Sequence, residues 1–166
     1  MIAIPAKLRG RASLLRAALC CASALALAGC GKTDDFGPPD IRFGQDTCHA
    51  CGMIIEDDRY AAAVVTQGGD GEVERQAFDD AGEMLEFKPA GGVTIARRYV
   101  RDVATRRWVD SDAATFVKAP DLQTPMGSGI VAYADPAAAR AWATEHGGTV
   151  LTASNAAPAA APAAAK

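Results

Sequence analysis

Histidine is scarce in this chain. His49 and His146 are the only two, and they stand far apart. No second Cys-x-x-Cys pair accompanies Cys48 and Cys51, and His146 lies almost a hundred residues away, which weighs against a four-ligand structural zinc site. Gly52 rather than histidine follows Cys51, which excludes covalent haem attachment. Basic residues are in deficit, 17 against 20 acidic, whereas a nucleic-acid binder wants a basic footprint. The N-terminal apolar run, residues 17–28, falls short of the roughly 20 residues that a bilayer span needs. No apolar strand and no βαβ unit precede Cys48, which weighs against a thioredoxin-like redox pair.

What is present begins with an export signal. Lys7, Arg9, Arg11 and Arg16 form a positive segment without an acidic residue, and the apolar run follows it. Leu27-Ala28-Gly29-Cys30 closes the run in the pattern of a bacterial lipobox. Residues 1–29 are therefore expected to be a lipoprotein signal peptide, with Cys30 lipidated at the new N-terminus. Cys20 and Cys21 leave with the signal, so Cys48 and Cys51 are the remaining thiols. Loss of four basic residues leaves 13 against 20 acidic, a net charge of −7 on the exported chain. Several acyl chains anchor a protein stably, and Gly31 after the anchor permits onward sorting to the outer membrane.

Residues 30–45 are polar and carry Gly37, Pro38, Pro39 and Gly44, the composition of a tether. Residues 154–166 are almost entirely Ala and Pro and are expected to be a disordered tail. Between them, residues 46–153 suffice for one compact core or two very small ones. A weak internal repeat runs through this segment. Phe78-Asp79-Asp80-Ala81 continues to Gly91-Gly92-Val93, and Tyr133-Ala134-Asp135-Pro136 continues to Gly147-Gly148-Thr149-Val150. Each copy predicts a strand, an Asp N-cap, a short helix, a glycine stop and another strand. Further strands are predicted before each helix, over 60–66 and 115–118, so the repeated unit is ββαβ and the fold class is α+β. Five arginines between the copies (Arg97, Arg98, Arg101, Arg106, Arg107) read as the solvated face of a hairpin, with a docking patch for an acidic partner as the alternative. Trp108, Trp142, Phe87 and Met84 are expected in the core.

The chemistry concentrates in Cys48-His49-Ala50-Cys51-Gly52-Met53. Thiolate and thioether donors are soft and select Cu(I) over borderline ions. Gly52 lets the backbone fold back so that Cys51 and Met53 can share an ion. Met126, between Pro125 and Gly127, is a poor core residue by position and a candidate second thioether. His49 could complete a mixed sulfur–nitrogen site. Two functions compete: a non-enzymatic Cu(I) carrier, and a periplasmic thiol-disulfide oxidoreductase using Cys48 and Cys51, with Thr124-Pro125 as the loop facing the pair. A plain structural disulfide is disfavoured, because so small a ring constrains the unfolded chain little.

Taken together, the lipobox, the Cys-Gly-Met block, Tyr99-Val100-x-Asp102 with Trp108-Val109-Asp110, Pro125-Met126-Gly127-Ser128-Gly129, and the closing helix with Gly147-Gly148-x-Val150 resemble the NosL family. The likeness spans nearly all of the chain between tether and tail. It implies a NosL/MerB-like fold of two small related ββαβ units over 46–153, with their boundary near 95–110. It also implies a Cu(I) chaperone rather than an enzyme, delivering copper for the copper–sulfide centre of nitrous oxide reductase in denitrification. Its partners would be that reductase and its membrane-associated maturation machinery, met in the periplasm by a lipid-anchored protein. By motif match Cys51, Met53 and Met126 are the implied ligands, and Cys48 lies outside the Cys-Gly-Met centre.

Overall fold

The computed structural model describes residues 36–156; the expected signal, Cys30 and residues 157–166 of the expected tail lie outside them. Strand β1 (Ala62–Gln67) is buried along almost its whole length, as a central strand covered on both faces should be. Strand β2 (Val73–Phe78) pairs with one edge of β1, and β3 (Thr94–Arg101) pairs with the other, both antiparallel. Strand β4 (Trp108–Asp110) extends this sheet to the order β2-β1-β3-β4. The second sheet repeats the plan with β5 (Thr115–Lys118) in the centre, β6 (Ile130–Tyr133) on one side and β7 (Thr149–Leu151) on the other. In each unit the first strand becomes the middle one, and the strand after the helix returns beside it. The α+β fold of two related ββαβ units is as the sequence predicts.

Helix α1 (Ala81–Glu86) follows β2 and starts at Asp80, whose side chain accepts the Gly82 N–H. Helix α2 (Pro136–His146) follows β6 and is set by an Asp135 cap, Pro136 at its start and Gly147 at φ 64° beyond its end. In the second sheet β5 and β6 are covered on both faces, and side-chain alternation sorts their residues. Phe116, Ile130 and Ala132 join the first sheet's Ala62, Val64, Phe78 and Val100 in one shared core, together with Met84. Val117, Val131 and Tyr133 face the other way and pack with Ala139 and Ala143 of α2. Phe87, Trp108 and Trp142 pack partly buried against these clusters.

Two expectations change. The tether of residues 30–45 is ordered from Phe36 onward: Ile41 is buried in the shared core, Arg75 Nε donates to the Gly37 carbonyl, and the Tyr99 hydroxyl donates to the Phe36 carbonyl. Arg75 and Tyr99 are register partners of Val65 and Ala63, so the start of this segment, at Phe36 and Gly37, meets the other face of the sheet before Ile41 enters the core. Apolar sheet surface offered it a place to bury, which a local count of Gly and Pro does not register. Likewise the start of the expected tail forms helix α3 (Ala153–Ala156), whose Ala153 and Ala156 touch the core. Within the arginine hairpin, Arg97 meets Asp110 at 3.3 Å, Arg106 meets Asp58 at 2.7 Å, and Arg101 stacks over Trp108.

Candidate metal centre

The segment carrying the thiols is a closed loop. Thr47 and Ile54 form an antiparallel bridge at its neck, Cys48 N–H donates to the Met53 carbonyl at 2.7 Å, and Gly52 N–H donates to the Cys48 carbonyl. Gly52 sits at φ 75°, a conformation that a side chain would strain, and it reverses the chain between Cys51 and Met53. His49 N–H donates to the Ala77 carbonyl and fastens the loop to the end of β2.

So fastened, the loop brings both sulfurs against the start of α1. Cys48, Cys51, Asp79 and Glu83 present ligand atoms that all lie within 4.8 Å of one another. Both thiols are free. Cys48 is 2% exposed and its Sγ donates to Glu83 Oε2 at 3.0 Å; Cys51 is half-buried, with Sγ 3.8 Å from Asp79 Oδ2. Burial pushes the Cys48 thiol up to about 12, and the bond to Glu83 adds to the rise against partial offset from nearby backbone N–H groups. Burial also raises the Glu83 carboxyl, opposed by the Cys48 thiol and reinforced by the neighbouring Asp79. The proton between Sγ of Cys48 and Glu83 is therefore held tightly in the metal-free protein.

On the other side of the helix start lies the loop Thr124-Pro125-Met126-Gly127-Ser128-Gly129. Asp80, fully buried, accepts from Thr124 Oγ1 at 2.6 Å, Ser128 Oγ at 2.5 Å and Met126 N at 3.1 Å. Met53 and Met126 are both exposed, at 48% and 40%. Both candidate thioethers thus stand at the surface on loops tied to α1 and its flank. His49 is turned elsewhere, its ring edge-on to Phe78 and Phe87 at 5.7 and 5.4 Å. His146 stacks on Trp142 at the far end of α2.

The family described as NosL matches this chain over residues 42–161. The chain belongs to the NosL family. It is 30% identical over 143 residues to the copper-binding lipoprotein NosL of Stutzerimonas stutzeri, a match covering 77% of this chain and 72% of that protein. In fold it is similar to the crystal structure of the copper chaperone NosL from Shewanella denitrificans, with a TM-score of 0.53 and 17% identity over 70% of this chain and 94% of that one.

Relative to the sequence reading, this NosL-family site gains two carboxylates. Phe78-Asp79-Asp80 was legible only as a capping signal. One Asp suffices to cap a helix, so the second was the available clue. Glu83 sits three residues after the cap, where a capping-box glutamate would turn back to the cap's N–H; here it accepts the Cys48 thiol instead. No sequence spacing links residue 48 to residue 83, since the contact depends on how the Cys loop docks on β2.

Proposed function

We propose that this protein is a metallochaperone that binds Cu(I) and releases it to a partner, without enzymatic activity of its own. The observation that carries the reading is the convergence of two free thiols at the start of α1, with exposed Met53 on the same loop and exposed Met126 on the loop that Asp80 holds. Cu(I) favours the sulfur donors; the hard carboxylate oxygens of Asp79 and Glu83 suit it poorly and serve to hold the thiols. A thiol must lose its proton to bind metal. The half-buried Cys51 is the better placed of the two, whereas Cys48 holds its proton up to about pH 12. Cys51, Met53 and Met126 are accordingly the principal ligands, with Cys48 as an auxiliary. His49 is the weakest candidate, because its ring is engaged by Phe78 and Phe87.

The physiological recipient is nitrous oxide reductase, whose copper–sulfide centre would be assembled with this copper beside the membrane machinery. Support comes from family membership and from the motif order. The protein would act in the periplasm, held to a membrane, more readily the outer one, by lipidated Cys30; the copper-binding relative is itself named a lipoprotein. No helix among the described residues is long and apolar enough to cross a membrane. The rival oxidoreductase reading needs a ready thiolate, and the raised Cys48 thiol is a poor one.

Cu(I) titration of the anaerobically reduced protein against a chromophoric chelator tests the first claim. One ion should bind tightly, and Cys51→Ser should abolish that binding. Incubation of the loaded protein with copper-depleted nitrous oxide reductase, followed by separation, should move copper to the reductase faster than a copper–chelator control does. Strong disulfide-reductase activity together with Cu(I) affinity insensitive to Cys51→Ser would instead establish the oxidoreductase.

A further inference from the structure

Asp80 is fully buried, yet no basic side chain neutralises it among its described partners. Its carboxylate is satisfied by four donors: Gly82 N–H at 2.7 Å, Ser128 Oγ at 2.5 Å, Thr124 Oγ1 at 2.6 Å and Met126 N–H at 3.1 Å. Capping α1 requires only the first of these. The other three reach across 44 to 48 residues of sequence to a single loop. Within that loop the two hydroxyls pass the network onward, Thr124 Oγ1 accepting Gly129 N–H and Ser128 Oγ accepting Ile130 N–H. The loop backbone is thus fixed at Met126, while the Met126 residue stays 40% exposed.

Gly82 makes this close approach possible. A Cβ at that position would fall 2.4 Å from Ser128 Cβ. A glycine in the first turn of a short helix costs helix stability, and here the space it leaves is taken by the loop. Asp79 and Asp80 are consecutive, and Asp80 has extended backbone angles, so their side chains diverge to opposite sides. Asp79 faces Cys51 and Asp80 holds Met126. Their Cα atoms can be only about 3.8 Å apart.

We infer that Asp80 is a positioning residue for Cu(I) capture, holding the Met126 loop in register with Cys51 across the start of α1. The inference rests on the reading of Met126 as a thioether ligand. A thioether is a neutral donor on a flexible side chain, and each freedom removed before binding lessens the cost of recruiting it. A buried carboxylate that fixes the Met126 backbone does this without entering the copper coordination.

The test is a double-mutant cycle in Cu(I) affinity on the reduced protein. Asp80→Asn keeps a good cap but offers one oxygen instead of two, so the Met126 N–H loses its acceptor. It should weaken Cu(I) binding about 10- to 100-fold, the usual consequence of losing a group that orients a ligand. X-ray absorption should show one fewer sulfur at copper, as in Met126→Leu. In the Met126→Leu background, Asp80→Asn should change affinity by less than about twofold, since additivity fails when one residue acts through the other. Thr124→Val, Ser128→Ala and Gly82→Ala loosen the same latch separately and should act in the same direction; they carry the test if Asp80→Asn does not fold. Equal weakening in both backgrounds, or unchanged affinity and sulfur count in folded latch variants, would overturn the inference. Met126→Leu with unchanged affinity would also overturn it, while the chaperone reading would still stand or fall separately on Cys51→Ser.

Discussion

Cys48 and Cys51 are separated by only two residues, but their surroundings differ. Cys48 is buried against Glu83 with its proton held to about pH 12, whereas Cys51 is half-buried beside Asp79. Thiolate is the reactive species, so iodoacetamide at neutral pH should label Cys51 of the reduced, metal-free protein well before Cys48, as mass mapping of the adducts can show. Equal labelling would mean that the loop opens faster than it reacts. Cys48→Ser should retain most of the Cu(I) affinity, because serine preserves a hydroxyl donor to Glu83. Cys51→Ser should lose nearly all of it.

At the scale of the element, the thiol loop depends on one reversal. Gly52 has φ 75°, and open space surrounds the position where a Cβ would lie. Any cost of Gly52→Ala is therefore backbone strain alone, about 1–2 kcal/mol for an L-residue held in the left-handed region. Urea denaturation should report a loss of that size. Cu(I) affinity should fall further than stability, since the turn sets the separation between Cys51 and Met53. The loop at 124–129 differs in kind: its geometry is imposed from outside by Asp80, so substitutions in α1 should act on it.

For the molecule as a whole, the two ββαβ units are joined by more than their shared core. Asp102, at the end of β3, accepts Ala134 N–H from the second unit at 3.2 Å and Thr105 N–H and Oγ1 from its own turn. Val103 N–H donates to the Ala132 carbonyl alongside. Burial alone would raise the Asp102 carboxyl, but these hydrogen bonds outweigh it and hold the pKa below the usual carboxylate value. A depressed pKa means that the folded state releases this proton more readily than the unfolded chain does. The stabilisation is thus complete at neutral pH and is lost as pH falls through the folded-state pKa. Asp102→Asn should destabilise the protein by about 1–3 kcal/mol near neutrality, and the difference in Tm from the parent should shrink on acidification through the depressed folded-state pKa of Asp102.

Local patterning carried the repeat. Asp135-Pro136 and Gly147 mark the ends of α2 with side chains and backbone freedoms that act within a few residues, so the sequence alone reveals them. The alternation that sorts Phe116 from Val117 is equally local. The soft-donor loop, with Gly52 as its hinge, was legible for the same reason. Contacts formed by docking were not. The segment from Phe36 found a sheet face that does not exist until three strands have paired, and so it packs instead of hanging free. Asp79 and Glu83 reached the thiols because the Cys loop settles on the end of β2, and Asp80 reached Met126 across 46 residues of chain. The sequence determined the donors and the elements that bear them, because those depend on neighbours along the chain. Only the tertiary structure decided which carboxylate holds which loop, because that depends on neighbours across the core.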